Sequence, residues 1–185
     1  TIKSHIFPII VVVACFEGTS PNLSFDRENA VKATQIVNIS VEDIKKNLIK
    51  PMLLTENLPW FFKLFPMPHH IKAESLKEGD VHEIYYRYNK WFFTNVHEGR
   101  MLLKIAEVGD NHVKTEIIED TSYIANYIKF NGTHIELEAL DATSTRISLT
   151  VKFERLLDPA WYFGPLERYG VKTMAKYLIS DFIAS

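Results

Sequence analysis

Residues 156–165 read Leu-Leu-Asp-Pro-Ala-Trp-Tyr-Phe-Gly-Pro, and they run into an amphipathic segment that continues to Ile183. This stretch follows directly on strand-like sequence. A chain that ends its sheet and then spends about 25 residues on one aromatic-rich helix is placing its last large apolar face on that sheet. Asp158-Pro159 reads as the helix start, with Asp158 as the cap and Pro159 at the first helical position. Gly164-Pro165 predicts a kink or restart. Beyond it, Leu166, Tyr169, Gly170, Thr173, Met174, Tyr177 and Leu178 recur at helical spacing as the apolar stripe, with Glu167, Arg168, Lys172 and Lys176 mostly off it. From Pro165 to Ile183 such a helix would reach about 28 Å, enough to cross a sheet.

Working backwards, residues 145–155 (TRISLTVKFER) form the clearest strand. Ile147, Leu149, Val151 and Phe153 point one way, and Ser148, Thr150, Lys152 and Glu154 the other. Ile135, Leu137 and Ala139 oppose His134, Glu136 and Glu138 in the same manner. One wet face and one covered face are the mark of an antiparallel meander. Further strands are expected over 71–77, 81–94, 100–108, 112–119, 123–130 and 133–140, with turns at 78–80, 98–99, 109–111, Asn131-Gly132 and 141–144. Towards the start, residues 31–39 (VKATQIVNI) read as a strand facing inward at Val31, Ala33, Gln35, Val37 and Ile39. Ser40 with Asp43 forms a capping pair for a short helix that Pro51 ends. A second short helix is expected over 53–60. Residues 61–70, with two prolines and many rings, read as a packed loop.

The chain has 185 residues, enough for one domain with a sizeable core. A formal net charge of -2 speaks against a nucleic-acid partner, which calls for a basic face. Lys45, Lys46 and Lys50 read as a solvated helix face beside Glu42 and Asp43. The single cysteine, Cys15, allows no intrachain disulfide and, set in an apolar run, is expected to be a buried, inert thiol. Sequons at Asn22, Asn38 and Asn131 read as coincidence. Residues 6–16 (IFPIIVVVACF) are apolar but too short for a span of about 20 residues. They read as a buried strand or a segment tucked against the domain; the alternative is the stump of a membrane segment.

Strand, two short helices, meander and long terminal helix together resemble the helix-grip fold of the SRPBCC superfamily, which includes the START-like and polyketide cyclase-like proteins. The resemblance covers residues 31 to the C-terminus. It rests most on 31–48 and on the run TRISLTVKFERLLDPAWYFGPLERYGVKTMAKYLI, which is similar to an uncharacterised bacterial subgroup. The expected fold class is α+β: a curved antiparallel sheet of about seven strands wrapped around a long C-terminal helix, with two short helices after the first strand. Residues 1–28 would be an N-terminal apolar segment and loop, and 29–185 the ligand-binding domain. Members of that subgroup often carry membrane helices ahead of the domain, which raises the stump reading of 6–16; the expected location is cytoplasmic, with membrane association through the N-terminal segment as the alternative for a full-length protein.

The resemblance implies a cavity between sheet and helix for a small hydrophobic, lipid- or polyketide-like ligand. Tyr85, Arg87, Trp91, Tyr123, Tyr127, Tyr162, Tyr169 and Met174 are the candidate ligand-binding residues, because rings with polar tips suit such a wall. Arg87, if inward, would pair with Glu83 or with a ligand carboxylate. Arg155 with Asp158, and Asp120, read as structural. Alternatives are a cyclase- or aromatase-type enzyme using Tyr85, Arg87 or Tyr123, and a closed-core, partner-binding domain of a membrane protein. No metal or cofactor is expected: the seven histidines are scattered, and no HExxH, Gly-x-Ser-x-Gly or phosphate loop occurs.

Overall fold

The computed structural model describes residues 2–19, 23–50, 68–89 and 96–184. Seven strands form one antiparallel sheet: β1 (Glu28–Val37), β2 (Pro68–Lys72), β3 (Val81–Asn89), β4 (Val96–Val108), β5 (His112–Asp120), β6 (Ile128–Ala139) and β7 (Thr145–Arg155). Their order is β1-β7-β6-β5-β4-β3-β2, so the chain lays β1 at one edge and crosses to the other before the meander begins. The sheet curls around α3 (Ala160–Tyr177), which continues into a π-helical turn at Leu178–Ile183. This is the helix-grip α+β architecture. Helix α1 (Ile2–Cys15) precedes it, and α2 (Val41–Asn47) follows β1.

Alternation decides which face of each strand is covered. On β7, Ile147, Leu149, Val151 and Phe153 are buried; on β1, Val31 lies opposite Val151, Ala33 opposite Leu149 and the buried Val37 opposite Thr145. Each such aliphatic side chain contributes about 1.5–3 kcal/mol when fully buried. Helix α2 starts as its sequence requires: the Ser40 hydroxyl accepts from the Asp43 amide at 3.2 Å. Its inner face carries the fully buried Ile44, and Asn47 Nδ2 donates to the Ile183 carbonyl at 3.0 Å, tying α2 to the end of the last helix.

Several expectations are corrected. Residues 123–126 are a 3₁₀ turn, not strand, and 128–139 form a single strand rather than two joined at Asn131-Gly132. That dipeptide is a bulge, where the β6–β7 register shifts between Phe130 and Gly132. Glycine is needed there for contact, since a Cβ on Gly132 would lie 2.1 Å from the Thr115 carbonyl oxygen of β5. Helix α3 runs unbroken through Gly164-Pro165 and begins one residue later than expected, with Pro159 at the cap position. Its buried residues are Gly164, Glu167, Val171, Ala175 and Tyr177, so the stripe is rotated from the expected one, and Leu166 and Tyr169 face solvent. Residues 6–15 are helical and largely exposed, neither strand nor tucked, and Cys15 is exposed with them. The second short helix at 53–60, most of the loop at 61–70, and Trp91 lie outside the described residues.

Candidate functional site: the cavity under the C-terminal helix

Strand parity builds the wall. On β3 the inward residues are His82, Ile84 and Tyr86; on β4 they are Met101, Leu103 and Ile105. Val113, Thr115, Thr133, Ile135, Leu149 and Val151 continue it across β5, β6 and β7. Val171, Met174, Ala175 and Leu178 of α3 close it from above. Between them lies a cavity of about 240 Å³.

Its polar groups are few, and most are already engaged. His82 Nε2 lies 2.7 Å from the Ser75 carbonyl oxygen. The Thr115 and Thr133 hydroxyls bond each other at 2.7 Å. Among the described residues the Tyr86 hydroxyl reaches only the Met101 sulfur at 4.0 Å, a weak acceptor. Burial, with the negative charge of Asp120 nearby, pushes the Tyr86 phenol well above its usual range, so it stays protonated and remains a donor. Asp120 is itself raised by burial; its Oδ1 accepts from the Ser122 amide at 2.9 Å, while its buried Oδ2 has no hydrogen-bond partner among the described residues.

Of the eight residues proposed from sequence, Met174 stands in the wall. Tyr85 and Arg87 have the parity opposite to Tyr86 and lie on the outer face. The Tyr85 hydroxyl bonds Glu83, which raises its pKa, and Arg87 is exposed 3.9 Å from Glu98. Tyr123 and Tyr127 pair with each other through their hydroxyls at 3.2 Å, and from that turn it is Ile124 that reaches the cavity. Tyr162 and Tyr169 are more than half exposed on the outer side of α3. Tyr86 was missed, although the parity it shares with His82 and Ile84 was the available signal.

A second site of interest lies where β7 meets α3. Arg155 ends the inward series of β7 and is fully buried. It donates to Asp158 Oδ1 at 2.6 Å, to Glu17 Oε1 at 3.3 Å and to the Phe25 and Leu157 carbonyls. Arg27 adds a bond to Asp158 Oδ2 at 3.0 Å, and Ser24 one to Oδ1 at 2.9 Å. Burial alone would raise the Asp158 carboxyl, but Arg155, Ser24 and Arg27 hold it below its usual value. Asp158 is therefore an ionic hub and not the helix cap. The cap is supplied by Glu17, whose Oε2 accepts from the Ala160 amide at 3.0 Å. Beside this hub, Glu167 is buried, and among the described residues neither carboxyl oxygen has a hydrogen bond of normal geometry, though the Leu157 backbone exerts a weak pull. Burial pushes it up to about 7, against the pull of Arg155. Among the described residues no group of three or more His, Cys, Asp or Glu converges as a metal site.

No protein-family profile matches the chain, and no curated protein sequence does. Solved structures do. A START superfamily protein from Mycobacterium smegmatis superposes with a TM-score of 0.51 at 13% identity, over 83% of this chain and 96% of that one. The fold is START-like. Norcoclaurine synthase from Thalictrum flavum superposes with a TM-score of 0.51 at 16% identity, over 85% of this chain and 84% of that one. A Staphylococcus aureus protein of unknown function gives 0.50 at 16% identity, over 86% and 93%.

Proposed function

We propose that this chain holds a small, mostly apolar molecule in the cavity beneath α3, with Tyr86 donating a hydrogen bond to an acceptor atom of the ligand. The observation that carries the reading is an apolar cavity of about 240 Å³ in whose wall, among the described residues, the Tyr86 hydroxyl bonds only to sulfur. For comparison, an apolar cavity of about 150 Å³ holds benzene. The space suits a fused ring or short acyl chain bearing a carbonyl, rather than an entire two-chain lipid. A closed-core domain would leave no such space, which supports ligand binding over a purely partner-binding role.

Catalysis is the second reading, favoured by one feature: a Tyr86 phenol in the cavity wall that burial and the charge of Asp120 keep protonated. A Tyr donor aimed at a ligand carbonyl would polarise it, as a cyclase- or aromatase-type reaction requires. That START-like proteins include one named norcoclaurine synthase fits an enzyme on this scaffold.

Two variants test the site. Met174→Trp fills the space beneath α3 and is expected to weaken binding of 1-aminoanthracene, followed by fluorescence, at least tenfold. Equal binding by wild type and variant would remove Met174 from the site. Tyr86→Phe is expected to lower affinity for 2-naphthaldehyde roughly fivefold, the worth of about 1 kcal/mol of hydrogen bond, while leaving naphthalene unchanged. Equal losses for both compounds would mean that the hydroxyl does not contact the ligand.

A further inference from the structure

From Ile6 to Cys15, helix α1 is apolar on every side. Ile6, Phe7, Ile9, Ile10, Val11, Val12 and Val13 are each 44–73% exposed, and at 100° per residue they surround the helix axis. Residues 4–16 contain no Asp, Glu, Lys or Arg. A groove on a protein partner covers one stripe of a helix and would leave the rest in water; a helix apolar all round needs an environment that surrounds it. At 14 residues it rises about 21 Å, less than a bilayer core of about 30 Å. Among the described residues no helix is long and apolar enough to cross a membrane.

The end of α1 is fastened to the start of α3, through Glu17 to the Ala160 amide and to Arg155. At that same corner α3 turns Trp161, Tyr162, Leu166 and Tyr169 outward, 46–64% exposed. The same side of the helix continues with exposed Lys172 and Lys176, while the helix's one acidic residue, Glu167, is buried. Rings with polar tips followed by lysines on one face match the headgroup zone of an anionic bilayer, where Trp and Tyr sit at the interface and Lys meets lipid phosphate.

We propose that α1 and the Trp161–Tyr169 face of α3 form one bilayer-docking surface, α1 inserting among the acyl chains and α3 lying at the headgroups. This is independent of what fills the cavity. The test is flotation of the whole chain with vesicles of phosphatidylcholine and phosphatidylglycerol at 7:3, comparing wild type with a W161A/Y162A/Y169A variant that keeps α1. Wild type is expected to float and the variant to lose at least tenfold in apparent affinity, with an unchanged melting temperature because the three rings are exposed. K172E/K176E is expected to abolish the preference for phosphatidylglycerol. Equal flotation of the aromatic variant would overturn the proposal by leaving α1 as the sole anchor. A wild type that stays in solution, or that pairs with itself by light scattering and ignores vesicles, would overturn it as well.

Discussion

Arg155→Ala is expected to cost about 3–5 kcal/mol, the range for breaking a buried ion pair by removing one partner. The guanidinium is fully buried, and its partners Glu17 and Asp158 have side chains only 8% and 15% exposed. Without Arg155, Glu17 would keep its burial with no cation in contact, and Asp158 would keep only Arg27. The Phe25 and Leu157 carbonyls would lose a donor too. Because stabilities of single domains lie near 5–15 kcal/mol, such a loss is a large fraction of the whole. The check is urea unfolding followed by circular dichroism, with a thermal midpoint expected to fall by about 10 °C. Arg155→Lys should recover part of the loss, since it restores the charge but not the fork that reaches four acceptors. A cost below 1 kcal/mol for the alanine variant would show that the corner is held by packing and not by this hub.

Glu167→Gln should stabilise the protein at pH 8 and do little at pH 5. Among the described residues the buried carboxyl has no hydrogen bond of normal geometry, and burial pushes its pKa from 4.5 up to about 7. A raised acid binds its proton more tightly folded than unfolded. Wild-type stability therefore falls as pH rises from about 5 to about 7, where the unfolded chain has already released the proton, and the full penalty stands above that. The gain for Gln at pH 8 is roughly 2 kcal/mol, less than the entire shift would give, because the amide is buried as well. Unfolding free energy measured across pH 5–8 for both proteins decides the matter. Parallel profiles would mean that Arg155 or an ordered water neutralises Glu167.

Much of this architecture is legible from alternation. Parity along 145–155 gives the covered face of β7, and extended by one step it also turns Arg155 inward. Ser40 and Asp43 announce α2 through local hydrogen bonding, which needs no tertiary information. The errors occur where composition and position disagree. In α3 the buried residues include Gly164, Glu167 and Ala175, small or charged, whereas the exposed ones are Trp161, Tyr162, Leu166 and Tyr169. Hydrophobicity therefore gives a stripe rotated from the buried one, right at Met174, Tyr177 and Leu178 but wrong at Leu166 and Tyr169, because the close approach of α3 to β1 and β7 selects for small side chains. Asn131-Gly132 carries the chemistry of a turn but is a bulge, since only the fold brings the Thr115 backbone against Gly132. In the sequence Tyr85-Tyr86-Arg87-Tyr88 every residue looks equally suited to a cavity, and one step of register separates Tyr86 in the wall from Tyr85 and Arg87 outside it.

Two buried polar groupings stand out among the described residues. The corner hub carries charges that tie Glu17, residues 24–27, β7 and α3 together, whereas the Tyr86 hydroxyl in the cavity wall meets only a sulfur.

The most direct test of ligand binding beneath α3 is native mass spectrometry of the purified chain, with solvent extraction of anything bound and repetition after incubation with a mixture of fatty acids and aromatic carbonyl compounds. The expected result is one equivalent of a compound with a ring system or short acyl chain, absent from the Met174→Trp protein. A mass equal to the bare chain under all of these conditions would contradict the account and leave the cavity an empty feature of the fold.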